Sequence, residues 1–95
     1  MMRRIRIGVI GVGHLGQAHV RILAQHPDAE LVGVVDTNAD RAEEIARQFH
    51  TRVFDHHLDL AECVQAVCVV TPTVFHYPIA ADLLRRGLAV FVEKP

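Results

Sequence analysis

Cysteine is scarce in this chain: two in 95 residues, Cys63 and Cys68, with no CxxC between them. That spacing offers neither a disulfide framework nor a zinc ribbon. Cys68 lies inside an apolar run, where a thiol behaves as a small hydrophobe. Reduced cysteines and a cytoplasmic location are the expectation. An excess of either charge is missing too. Ten Lys and Arg stand against eleven Asp and Glu, for a net charge of −1. This argues against nucleic acid or an anionic membrane as the main partner. No apolar run approaches the roughly 18 residues of a membrane span. The basic start, Met1-Met2-Arg3-Arg4, leads into a run that carries Arg6 and Gly8. It reads as a strand, not as a secretory signal. The seven histidines are scattered, with no HExxH and no Cys/His cluster. His56 and His57 are neighbours in what reads as an extended segment, so their rings are expected to point opposite ways and not to share a metal. No metal site is expected.

What the chain does have is glycine in a particular place. Gly11, Gly13 and Gly16 form Gly-Val-Gly-His-Leu-Gly directly after the apolar run Ile5 to Ile10. Asp36 follows Gly16 by 20 residues, at the end of a second apolar run. Strand, GxGxxG, helix, strand and acid at this spacing is the layout of a dinucleotide-binding βαβ unit. Gly11 permits the tight turn off the strand. Gly13 lacks a Cβ, so a diphosphate can approach the backbone. Gly16 lets the helix pack closely on the sheet. The N–H groups and dipole of the helix opening then attract phosphate charge. A strand-to-helix turn that uses glycine only for packing is the bland alternative.

Strand and helix signals alternate along the rest of the chain. The first strand is expected over residues 4–10. A helix follows with Leu15, Ala18, Ile22 and Leu23 on its buried face, stopped at His26-Pro27-Asp28. A second strand covers 30–35. Thr37 or Asn38 caps a helix reaching about Gln48, with Ala42, Ile45, Ala46 and Phe49 inward. Arg52-Val53-Phe54 is a short third strand, and a short helix lies around 58–62. The continuous apolar run Ala66 to Val70 suits a strand buried on both faces. Pro78 fits only a first turn, so the next helix begins near His76 or Tyr77. Its buried face is Ile79, Ala80, Leu83 and Leu84, and Gly87 ends it at C′. Residues 88–92 form the last strand. Right-handed crossovers then give an α/β fold: a Rossmann-type doubly wound parallel sheet, order 3-2-1-4-5, with helices on both faces. The crevice lies at the carboxyl ends of strands 1 and 4, beside Gly11 to Gly16 and Thr71-Pro72. All 95 residues make one domain.

Two further motifs are Val-Val-Thr-Pro-Thr-Val-Phe-His, residues 69–76, and Val-Phe-Val-Glu-Lys-Pro, residues 90–95. With the glycine loop and Asp36, they make the chain resemble the N-terminal nucleotide-binding domain of the glucose–fructose oxidoreductase / inositol dehydrogenase / rhizopine-catabolism family. The resemblance spans essentially the whole chain and implies a role for each matching position. The backbone around Val12, Gly13, His14 and Leu15 would hold the pyrophosphate. Asp36 would accept hydrogen bonds from the adenosine ribose. Thr71 and Pro72 would line the cofactor groove, with His76 at its mouth. Glu93 and Lys94 would sit by the nicotinamide. Lys94 would assist proton movement at the substrate, aimed by a cis Lys-Pro bond. Plainer roles remain open beside these: a turn residue for Asp36, a half-buried helix start for His76, strand punctuation for Thr71-Pro72, and a solvated lysine for Lys94.

Asp36 favours NAD over NADP, because a carboxylate repels a 2′-phosphate; Arg41, five residues on, partly offsets this. Members of the family continue after Glu-Lys-Pro into a second domain. It carries most of the substrate pocket and an Asp/His-type catalytic pair, and it is absent from these 95 residues. Asp82 with His76 is a local candidate for such a pair, but in the wrong motif context. The expectation is thus the NAD-binding half of a sugar or polyol dehydrogenase, with little turnover alone. The alternatives are a non-catalytic NAD-binding module that senses cofactor or joins an assembly, and a methyltransferase-like domain. The exposed edge Ala89 to Val92 is expected to pair with a second copy or to be covered otherwise.

Overall fold

A computed structural model describes residues 4–71 and 76–93, and the backbone alone of His76. The elements, in chain order, are β1 (Ile5–Ile10), α1 (His14–Gln25), β2 (Ala29–Val35), α2 (Ala39–Gln48), β3 (Arg52–Val53), α3 (His57–Ala61), β4 (Ala66–Val69), α4 (His76–Arg85) and β5 (Ala89–Val92). The five strands form one sheet in the order β3-β2-β1-β4-β5. Every pairing is parallel. The sheet expected from the alternating pattern is the sheet observed.

The apolar runs of β1, β2 and β4 have no polar face because both faces are covered. Val9, Val34 and Cys68 pack with Val20 of α1 and with Ala42, Ile45 and Ala46 of α2. Their sequence neighbours Ile10, Val35, Val67 and Val69 point the other way, onto Leu60 and Ala61 of α3 and Leu83 of α4. Strand periodicity thus splits one run between two cores. α2 starts as expected: the Arg41 N–H donates to the Asn38 side chain at 3.0 Å. Its inward face holds Ala42, Ile45 and Ala46, with Phe49 partly buried beside them. Gly87 closes α4 with φ of 83°.

Two helix faces differ from expectation. Ile22 is 57% exposed and Leu84 is 58% exposed, whereas Val20 and Leu83 are fully buried. In α1 the inward line runs Gly16, Val20 and Leu23. Ile22 is two residues from Val20, about 200° around the helix. The helix is rotated by a backbone contact at Gly16, described below, and hydrophobicity alone does not reveal that rotation.

The β3 edge is short and covered. A Cβ on Gly33 of β2 would lie 2.3 Å from the Phe54 ring, so that ring occupies the glycine's empty side. The Arg52 guanidinium stands over the same ring, 4.7 Å from its centroid. At the other edge, Phe91 and Val92 of β5 are 54% and 42% exposed. Among the described residues, no helix is long and apolar enough to cross a membrane.

Candidate functional site

The turn from β1 to α1 is fixed by backbone. Gly11 has φ of 94°, a left-handed conformation that favours glycine. A Cβ there would also lie 2.7 Å from the Val70 carbonyl oxygen. The Gly11 N–H donates to the Val35 carbonyl at 2.7 Å, fastening the turn to β2. At Gly16 a Cβ would come within 1.8 Å of the Gly11 carbonyl oxygen, so α1 sits on the loop at a distance only glycine allows. Gly13 is different. A Cβ there would meet no atom within 4 Å. It faces open space.

That space is a cavity of about 500 Å³ at the carboxyl ends of β1, β2 and β4, touching Gly11, Gly13, Asp36, Val70 and Thr71. This is the topological switch point of the sheet. α1 opens onto it with Gly13 at N-cap, no side-chain cap and no acidic residue in the first turn. The positive end of the helix is therefore not compensated by a carboxylate of that turn. His14 is exposed and Leu15 half-buried.

Asp36 ends β2 with its side chain 6% exposed. Its Oδ2 accepts the Val12 N–H at 2.7 Å, and its Oδ1 accepts the Asn38 N–H at 2.8 Å. Arg41 Nη2 stands 3.3 Å from both oxygens. The carboxylate therefore braces the glycine turn and the opening of α2 together. The Val12 amide is turned to this carboxylate, while Gly13, the N-cap of α1, lines the cavity. Arg41 Nε is buried without a hydrogen-bond partner among the described residues.

The opposite wall was not foreseen from sequence. Asp55, His56, His57 and Ile79 line it. The two histidine rings do not point opposite ways; they stack, with centroids 4.4 Å apart and planes 26° apart. His56 is the N-cap of α3 and His57 its first residue, so the chain turns between them. His56 Nδ1 accepts the Leu58 N–H at 3.1 Å. His57 Nε2 bonds Asp82 Oδ2 at 3.1 Å, and Arg85 Nη2 stands 3.5 Å from Asp82 Oδ1. Their position directly after β3, at a strand's carboxyl end, was the available signal. No group of three or more His, Cys, Asp or Glu side chains that could hold a metal occurs among the described residues.

The His57 hydrogen bond, with the charges of His57, Arg85 and Arg86 behind it, holds the Asp82 carboxyl below the usual carboxylate range despite some desolvation. A carboxyl lowered in the folded state adds stability above its unfolded value, near 4, and loses it as pH falls through the folded value. Asp82→Asn should thus lower the melting temperature at neutral pH, and the gap from wild type should close on acidification. A gap that is constant across the pH series would refute this origin.

Thr71 lines the cavity, half-buried. Glu93 is not among the residues lining this cavity, and its carboxylate is bonded to His19 of α1. Its N–H donates to the Val69 carbonyl at 3.0 Å. Burial, and secondarily the Glu93 charge, push the Cys68 thiol above its ordinary range. Pro72, Lys94 and its bond to Pro95, and the His76 side chain fall outside the described residues.

A parallel sheet in this order, with a glycine turn, an uncapped helix opening and an acid on the adjacent strand, defines a dinucleotide-binding Rossmann domain. The family model for the oxidoreductase family with NAD-binding Rossmann fold, Gfo/Idh/MocA, matches residues 5–95, and the chain belongs to that family. It is 42% identical over 94 residues to UDP-N-acetylglucosamine 3-dehydrogenase of Acidithiobacillus ferrooxidans, covering 99% of this chain and 29% of that protein. It is 34% identical over 93 residues to inositol 2-dehydrogenase of Rhizobium meliloti, covering 96% and 28%. The structure of GenD2 from gentamicin A biosynthesis, in complex with NAD, superposes with a TM-score of 0.93 at 34% identity, over 100% of this chain and 28% of that one. The chain thus spans under a third of the length of the relatives it matches.

Proposed function

We propose that this chain is the nucleotide-binding part of an NAD-dependent dehydrogenase acting on a sugar or polyol. The observation that carries the reading is the opening of α1. It places Gly13, its N-cap, on the cavity, no acidic side chain of its first turn compensates the positive helix end, and Asp36 lies one strand away at the cavity's edge. The diphosphate of NAD fits the helix opening, where backbone donors and the dipole favour its charge. The adenosine ribose lies toward Asp36, where its hydroxyls would take the place of the long 3.3 Å Arg41 contacts while the two backbone donors stay. Thr71 and Pro72 line the groove, with His76 at its mouth. Lys94, beside Glu93, moves the proton at the substrate oxygen. When bound, NAD supplies the hydride acceptor. The relatives named for acting on a sugar nucleotide and on inositol support the substrate class. The free flank of β5, with Phe91 and Val92 exposed, is where a further strand, of a second copy or of the same sheet, would pair.

Calorimetric titration tests the reading. NADH should bind with one-to-one stoichiometry and S-adenosylmethionine should not. Heat from S-adenosylmethionine alone, or from neither, would overturn the assignment while leaving the fold intact.

A further inference from the structure

The large hydrophobic side chains left in water are not scattered. Of the six exposed ones among the described residues, five border β5: Ile22, Tyr77, Leu84, Phe91 and Val92. Phe91 points to the α1 side, where its ring meets His19 edge-on, with centroids 5.9 Å apart. Ile22 is three residues further along α1, on the same flank. Val90 points to the other side and packs with Leu60 and Leu83, so Val92 shares that side by alternation. On α4, Leu83 points inward and Asp82 is bonded to His57 of α3. Leu84 lies on the opposite side of Leu83 from Asp82, and Tyr77 is two turns before it, so both occupy the flank away from α3. The sheet and the helix layer on each of its faces thus end in apolar surface at this one margin.

The backbone sets what can pair there. The Ala89 N–H donates to the Gln65 carbonyl and the Glu93 N–H to the Val69 carbonyl. Alternation puts Phe91 with them, and leaves Val90 and Val92 holding their N–H and C=O groups outward. An antiparallel partner takes such groups in pairs, each pair exchanging both bonds. A second β5, turned by a twofold axis perpendicular to the sheet, meets this demand with itself. Val90 pairs with the copy's Val92, Val92 with its Val90, and Phe91 meets its Phe91 on the axis as a close, non-hydrogen-bonded pair. The same axis keeps both α1 helices on one face and both α4 helices on the other, so apolar flank meets apolar flank. The charges fit the arrangement too. Arg85 and Arg86 precede β5, Glu93 follows it, and no charge lies between Arg86 and Glu93. Antiparallel pairing sets the positive end of each strand beside the negative end of the other. We propose that β5 is a self-pairing edge, where two copies of this chain join their five-stranded sheets into one, centred on Phe91. This commits the free β5 flank to one occupant and does not depend on the cofactor reading.

Sedimentation of the 95-residue chain across a concentration series should show a monomer–dimer equilibrium. Amide exchange should slow for Val90 and Val92 as the dimer forms, with Phe91 unchanged. Val92→Pro removes an outward N–H at an edge position that tolerates proline, and should weaken the dimer at least about tenfold. Phe91→Lys and Phe91→Glu each set like charges opposite one another. Each should be monomeric alone, and the two mixed should form a heterodimer. Thermal melts check that the variants are folded; if any is not, exchange on the wild type decides. A wild type that is monomeric throughout overturns the inference and leaves the margin to a different strand. A dimer whose Val90 and Val92 amides exchange freely overturns it as well. So does a mixture of folded Lys and Glu variants that stays monomeric. A monomer that binds NADH would leave the dehydrogenase reading standing, and a dimer that binds none would refute that reading alone.

Discussion

Gly16→Ala should cost about 3 kcal/mol, the upper end of overpacking penalties, and lower the melting temperature by roughly 12–24 °C at the scaling usual for a domain this small. The added Cβ would sit 1.8 Å from the Gly11 carbonyl oxygen, a backbone atom that cannot swing aside. Relief requires α1 to lift from the turn, and that disturbs Val20 and Leu23 below it. Gly13→Ala is the matched control. Its φ of −68° suits alanine, and its Cβ meets nothing. The stability should stay within about 1 kcal/mol of wild type, since capping preference and backbone entropy oppose each other there. NADH affinity should nevertheless fall at least about tenfold, because the methyl occupies space a diphosphate would enter. Thermal melts and calorimetry on the two variants separate the roles. A Gly13→Ala protein that binds NADH as tightly as wild type would place the diphosphate elsewhere.

Asp36→Ala should lose about 10- to 100-fold in NAD affinity, the worth of hydrogen bonds to a charged group. The same change strips the Val12 and Asn38 N–H groups of their acceptor, so it should also destabilise the chain by about 2 kcal/mol. Asp36→Asn keeps one carbonyl acceptor and should fold better. Both changes free Arg41 from a carboxylate 3.3 Å away, and a free guanidinium is suited to a 2′-phosphate. The preference for NAD over NADP should narrow or reverse. Arg41→Ala should sharpen it, by leaving the carboxylate's repulsion without a neighbouring cation. Titration of each variant with NADH and NADPH checks this. An unchanged ratio in all three would remove Asp36 from cofactor choice.

Features of the fold that depend on local pattern were readable in the chain. The Ala66 to Val70 run announced a strand buried on both faces, and Thr37-Asn38 announced the start of α2, which Asn38 caps. The glycine turn, and the place of Asp36 directly after β2, were readable from spacing; the bonds of Asp36 to the Val12 and Asn38 amides were not. What was hidden depends on distant partners. The rotation of α1 follows from contact between Gly16 and the Gly11 carbonyl, which turns Ile22 outward and Val20 inward. The stacking of His56 on His57 needs the chain to bend into α3. The His19–Glu93 and His57–Asp82 bonds join residues far apart in sequence, and periodicity carries no trace of them.

The plug formed by Phe54 over Gly33, topped by Arg52, bears on how the sheet can be enlarged. β3 offers an incoming strand only two residues of ladder and carries the positive charge of Arg52; short length and charge are both deterrents to edge pairing. β5 carries no charge in its four residues, Ala89-Val90-Phe91-Val92, and exposes Phe91 and Val92. Extension is therefore expected to be directional: a strand added to this sheet should pair along β5 and not along β3.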